Sequence, residues 1–185
     1  MRALRYVAVC CALCACAIGF AGPVTEAEAR KGIMAAFDSA VKSFKAKDIK
    51  GFMSVYTPDY TSKANGKTMS AKEMEAEMKM NMSNTKSVES ATLSLGKVAV
   101  KGEAATADAT FSLKATIADP QGRMGKPGAT HKMGVVEKAR EIWVKTKGGW
   151  KNKRSDMISE TMTLDGKPFN PMAPPPGPGK PVKHK

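Results

Sequence analysis

Apolar residues recur at helical spacing from Thr25 onward. Ala29, Ile33, Ala36, Phe37, Ala40, Val41 and Phe44 share one side of the wheel, and lysines and acids fill the other. Thr25-x-x-Glu28 has the form of a capping box, in which hydroxyl and carboxylate each satisfy a free backbone N–H. A helix is therefore expected over residues 25–45. Asp48 opens a second, short helical segment carrying Ile49, Phe52, Met53 and Tyr56, and Pro58 ends it. Residues 59–69 read as a small hairpin around Asn65-Gly66, a pair that tolerates the positive φ angles of a tight turn. Ser70-x-x-Glu73 repeats the capping box and opens a third helix, with Ala71, Met74, Met78 and Met82 on one face.

The period then changes. Residues 88–100 and 104–117 alternate as strands do, with Lys101-Gly102 between them. Residues 119–134 read as a long loop containing glycine and proline. Residues 134–164 form the longest hairpin, closing at Gly148-Gly149. Helices first and a long twisted sheet last predict an α+β, cone-shaped fold, with N-terminal helices packed in a curved, mostly antiparallel sheet. An open cone suggests a pocket.

Composition adds a compartment. Arg2 and Arg5, an apolar run over residues 7–20, and small Gly19 and Ala21 at cleavage spacing form an export signal over residues 1–21. The run is too short to span a bilayer, and nothing downstream is apolar enough to do so. The expected location is exported, either periplasmic or secreted. All four cysteines, Cys10, Cys11, Cys14 and Cys16, lie in this leader. The domain at residues 22–165 therefore has no disulfide and no cysteine metal site. Leu13-Cys14-Ala15-Cys16 loosely resembles a lipobox and offers an alternative, lipid anchoring at Cys16. Residues 166–185, rich in Pro, Gly and Lys, are expected to form a disordered, solvated tail. A proline-binding partner is the other reading of its Pro-Pro-Pro.

The net charge is +13, falling to about +11 once Arg2 and Arg5 leave with the leader. Export points this charge toward anionic lipid heads or envelope polymers. The lysines are spread along the chain without interleaved aromatics, which argues against nucleic-acid binding and fits a solvated basic surface.

The sharpest functional inference comes from the last hairpin. If Gly148-Gly149 are the two turn residues, Lys147 faces Trp150, Lys145 faces Asn152, Trp143 faces Arg154 and Glu141 faces Asp156. Side chains alternate, so these share a face and Lys151, Lys153, Ser155 and Met157 take the other. The lysine-rich face suits solvent or a subunit contact, including a homodimer through the convex side of the sheet. The Trp150 face then looks into the cone. Glu141 and Asp156 become candidate catalytic bases with raised pKa, and Trp143 and Arg154 candidate ligand-binding residues. An arginine between two carboxylates can orient a carboxylate or carbonyl ligand. The same groups would equally make a structural ion network at the sheet rim. A three-residue turn would put Ile142 opposite Arg154 and break the arrangement. Tyr56, Tyr60 and Phe111 are candidates for apolar pocket lining, or plain core.

Other chemistry is sparse. The histidines are His131, in the expected loop, and His184, in the tail, so a Ser-His-Asp or Cys-His set is not expected. Met78, Met80 and Met82 resemble the thioether runs of exported copper proteins. On a helix, however, residues two apart diverge, and a Met74-Met78-Met82 stripe packs as core. No metal or cofactor is expected.

The order helix, short helix, small hairpin, helix and four long strands resembles the nuclear transport factor two-like superfamily, and its SnoaL-like branch in particular. The likeness rests on residues 37–44, Phe52-Met53-Ser54-Val55-Tyr56, Ser70-Ala71-Lys72-Glu73, and Glu141-Ile142-Trp143-Val144-Lys145 with Gly148-Gly149-Trp150-Lys151. It covers residues 25–164. It implies a cone with a cavity, and either a ligand-binding module, a cyclase, isomerase or dehydratase using a cavity carboxylate, or a protein-interaction domain. Fold alone does not choose among these.

Overall fold

The computed structural model describes residues 23–170, apart from 65, 123 and 125. The leader, its cleavage point before Gly22, Cys16, Asn65, His184 and the Pro-rich segment from residue 171 lie outside the described residues.

Three helices precede a long sheet. Helix α1 spans Glu26–Lys45, α2 Ile49–Met53 and α3 Ala71–Asn84. Both expected capping boxes are formed. Thr25 caps α1 with Glu28, and Ser70 caps α3 with Glu73. Asp48 caps α2 by accepting from the Gly51 N–H. The strands are β1 Tyr56–Ala64, β2 Lys67–Ser70, β3 Thr85–Lys101, β4 Ala104–Asp119, β5 Ala129–Thr146, β6 Gly149–Leu164 and β7 Lys167–Phe169. Among the described residues all seven join one sheet in the order β2-β1-β6-β5-β4-β3, with β7 on β6. The pairs are antiparallel except β1 with β6, which is parallel.

The core forms where α1 lies against the sheet. Ala29, Ile33, Ala36 and Ala40 of α1 meet Val98, Ala105, Ala107, Trp143 and Trp150. The alanines on β4 leave room for the helix, so that apolar surface is removed from water on both sides. Phe37 stands edge-on to Phe111 at 5.9 Å between ring centres. Arg30 ties the outer side of α1 to the rim, donating to the carbonyls of Leu95 and Gly96 while holding Glu26 at 2.7 Å.

Several expectations are corrected here. Tyr56 is not helical. It opens β1, because α2 ends at Met53 and the chain then pairs with β6. Pro58 lies where the β1–β6 register shifts, between Tyr56 and Thr61, so its missing N–H breaks no regular ladder. The loop after β4 is shorter than expected. Strand β5 begins at Ala129, opposite Asp119, and places His131 in the sheet. Residues 167–169, assigned above to the tail, form β7, and Phe169 is half-buried opposite Met162. On α3, Met82 is buried and Met80 is exposed, so Met78, Met80 and Met82 do not share a face.

Among the described residues no helix is long and apolar enough to cross a membrane.

Candidate functional site

The β5–β6 hairpin turns one residue earlier than the Gly148-Gly149 reading requires. Thr146 pairs with Gly149, and Gly149 takes a φ of +102°, a conformation that favours glycine. The Thr146 hydroxyl donates to the Gly149 carbonyl at 2.8 Å and fixes the turn. Lys145 therefore faces Trp150, and Trp143 faces Asn152. A bulge follows. Lys153 has no partner on β5, and pairing resumes with Ile142 opposite Arg154, Glu141 opposite Ser155 and Arg140 opposite Asp156.

This register divides the expected constellation between two faces. Glu141, Trp143, Asn152 and Ser155 turn toward the helices. Arg154 and Asp156 turn to the convex side and pair with each other, with N–O distances of 2.9 Å through both guanidinium nitrogens. Each of the two is more than a third exposed. Beside them Arg140 reaches Asp108 at 3.0 Å. The structure therefore does not bring Arg154 or Asp156 to Glu141, and Ser155 faces inward rather than outward. The bulge at Lys153 is the physical cause, since one extra residue flips the side chains that follow it, up to a second bulge at Ile158.

The concave group is built as follows. The Trp143 indole donates to Glu141 Oε2 at 2.8 Å. Asn152, 3 % exposed, donates to Ser155 Oγ at 3.2 Å. Tyr60, 2 % exposed, makes polar contacts with Ser155 and Ser62. Tyr56 stands edge-on to Tyr60, 4.6 Å between centres, and the aromatic row continues through Phe52 to Phe44. Phe111 lies on β4 opposite Glu137, four residues along β5 from Glu141. The structure thus brings together Tyr56, Tyr60, Glu141 and Trp143 of the expected set.

Electrostatics single out Glu141. Burial pushes its carboxyl up to about 7, and the negative charge of Glu137 adds to this. Contacts with Trp143, Ser155 and Asn152 oppose the shift without cancelling it. Burial also raises Glu137, with Glu160 adding to it. Burial raises the phenols of Tyr56 and Tyr60, so both remain protonated at neutral pH. The charged neighbour acting on Glu141 is thus another acid, not a base.

Asn152, Ser155 and Glu137 were not singled out from sequence. Glu137 has the same strand parity as Glu141 and was legible in principle. Asn152 and Ser155 depend on the turn position and on the bulge. His131 carries no visible role in the site. Its Nδ1 lies 2.8 Å from Asp165 Oδ2, which joins the start of β5 to the β6–β7 turn. Two surface hollows, of about 300 Å³ at Ile49, Lys50, Met53, Ser54 and Glu75 and about 150 Å³ around Phe44, Met82 and Thr85, lie elsewhere. Neither is lined by Glu141, Trp143, Tyr56 or Tyr60. The carboxyls shifted upward by burial gather instead on the concave face.

No family model and no curated protein matches the chain. Solved structures do. A conserved protein from Planctomyces limnophilus is similar at 18% identity, over 69% of this chain and 93% of that one, with a TM-score of 0.55. A nuclear transport factor 2 (NTF2-like) superfamily protein from Salmonella enterica is 15% identical over 73% and 93%, with a TM-score of 0.53. A ketosteroid isomerase-like protein from Erwinia carotovora is 17% identical over 74% and 99%, with a TM-score of 0.50. At these identities the likeness is one of fold. The chain has the α+β cone fold of the NTF2-like superfamily.

Proposed function

We propose that this is an exported ligand-binding domain whose concave face holds a small, partly apolar molecule, with Glu141 as its polar anchor. The observation that carries this is the environment of Glu141. The carboxyl accepts from the Trp143 indole N–H, touches Ser155 and Asn152, feels the Tyr56 and Tyr60 phenols, and among the described residues has no basic partner. Burying such a group is costly unless something pairs with it. Structural carboxylates are usually paired, as Asp156 and Asp108 are on the other face. One without an ion-pair partner, beside aromatic rings, suits a ligand. The export signal at residues 1–21 supports an extracytoplasmic setting.

The test is a fragment screen by NMR, using mono- and bicyclic compounds of differing charge. Binders should move the Trp143 indole resonance and leave Arg154 and Arg140 unmoved. A screen in which no fragment perturbs Trp143 would overturn the reading.

The raised carboxyl favours a second reading, proton-transfer catalysis. A group with a pKa near 7 both accepts and gives a proton at neutral pH. The protonated Tyr60 phenol beside it could donate to a developing oxyanion. The fold shared with a ketosteroid isomerase-like protein fits such chemistry. Its test is exchange of the α-protons of a cyclic ketone into heavy water. Exchange that is catalysed by the protein and lost in Glu141→Gln supports the reading, and no exchange above the buffer rate refutes it.

A further inference from the structure

We infer that the ligand of the concave face is an organic cation, an amine carrying an apolar body. This rests on the binding reading above and narrows it. Three independent features converge. The first is the carboxylate of Glu141, held by Trp143 at 2.8 Å, with Glu137 on the same face of β5. The second is aromatic: Tyr56 and Tyr60 of β1, 4.6 Å apart, with Trp143 of β5 in register with Tyr56 across Asn152 of the intervening β6. The negative faces of such rings attract ammonium groups, most strongly where water is excluded. The third is Asn152, whose Oδ1 is buried without a hydrogen-bond partner although its Nδ2 is engaged by Ser155. An acceptor left open beside a carboxylate calls for a donor, and an ammonium group supplies up to three.

Among the described residues, the strands around Glu141 set acids and neutral groups against it. Strand β5 contributes Glu137, an acid. Strand β1 contributes Tyr56 and Tyr60, both neutral phenols. Strand β6 contributes the uncharged Asn152 and Ser155, and β4 sets Ala107 directly opposite Glu141. These groups are acidic or neutral, inside a molecule whose overall charge is +13. A carboxylate ligand would meet repulsion here. A metal ion fits poorly, because among the described residues no three His, Cys, Asp or Glu side chains are grouped to hold one. An amine with an apolar body satisfies both the acceptors and the rings.

Linkage supports the same choice. A bound cation favours ionised Glu141, so binding below pH 7 should release a proton, and affinity should rise as the carboxyl ionises.

The experiment uses three isosteric probes: benzylammonium, benzyl alcohol and benzoate. Each is titrated into the full protein and followed by the Trp143 indole resonance. Benzylammonium should bind at least about tenfold more tightly than benzyl alcohol at pH 8, and benzoate least. Its affinity should fall about tenfold between pH 8 and pH 6 as Glu141 protonates. Glu141→Gln should remove both the preference for the cation over the alcohol and its pH dependence. A Trp143→Phe variant, read by the tyrosine resonances, should also weaken the cation more than the alcohol. Equal or tighter binding of benzyl alcohol would overturn the cation inference and leave the pocket intact. Failure of all three probes to bind would overturn both.

Discussion

Gly32 sets how closely α1 approaches the sheet. A Cβ built at this position would overlap the indole of Trp150, which is buried beneath the helix. Glycine is costly inside a helix, by about 1 kcal/mol relative to alanine. Its presence at the middle of an otherwise good helix is explained by that contact. The alanines Ala105 and Ala107 on β4 serve the same approach from below. Gly32→Ala gains helix propensity and loses the fit. Overpacking of this kind typically costs about 1–3 kcal/mol, so the net effect should be destabilising. Urea denaturation of Gly32→Ala should show a lower midpoint with an unchanged slope. A midpoint equal to or above that of the parent protein would mean that the indole moves aside at no cost.

At the scale of elements, local signals and tertiary ones separate cleanly. The capping boxes at Thr25 and Ser70 were legible because their partners lie three residues away. So was the order of helices and strands from α1 to β6. The register of the β5–β6 hairpin was not. It depends on a positive φ at Gly149 and on an extra residue at Lys153, and the bulged segment lies against β1. The Asn152 N–H donates to the Val55 carbonyl, and Lys153 reaches Asp59 at 3.2 Å. Sequence alternation on β6 alone carries no sign of that neighbour. The same parallel partner turns Tyr56 from a helical residue into a strand residue and so brings it to Tyr60. Half of the expected site, Glu141 with Trp143, kept its place because β5 alternates without interruption across those residues. Arg154 and Asp156 did not, because they follow the bulge. Their pair is partly exposed, and solvent screens such pairs so that they contribute little. Arg154→Met should therefore leave the midpoint of urea melts nearly unchanged. It should also leave fragment binding at Trp143 unchanged. Loss of binding in this variant would show that the two faces of β6 communicate.

The whole molecule is basic overall but buries two acids on the concave side of its sheet, and these give its stability a definite pH dependence. Unfolded, Glu141 titrates as an ordinary carboxyl, near 4.5; folded, it titrates near 7. The folded state therefore holds this proton longer than the unfolded state. The favourable contribution is complete below about pH 4.5 and is lost as pH rises through about 7. Above that, the fold carries an ionised carboxylate that burial disfavours. A shift of this size corresponds to about 3 kcal/mol at most, and partial solvent access should reduce it to about 1–3 kcal/mol. Glu137, raised in the same direction, adds to the trend. Glutamine at position 141 keeps the shape and cannot ionise. Glu141→Gln should thus match the parent protein near pH 4 and exceed it by about 1–3 kcal/mol at pH 8, with the difference opening between these limits. Paired urea melts across the range would show it. A constant difference at all pH values would mean that Glu141 titrates alike in both states. The charge on the concave face would then be solvated, and the basis for a ligand there would be gone.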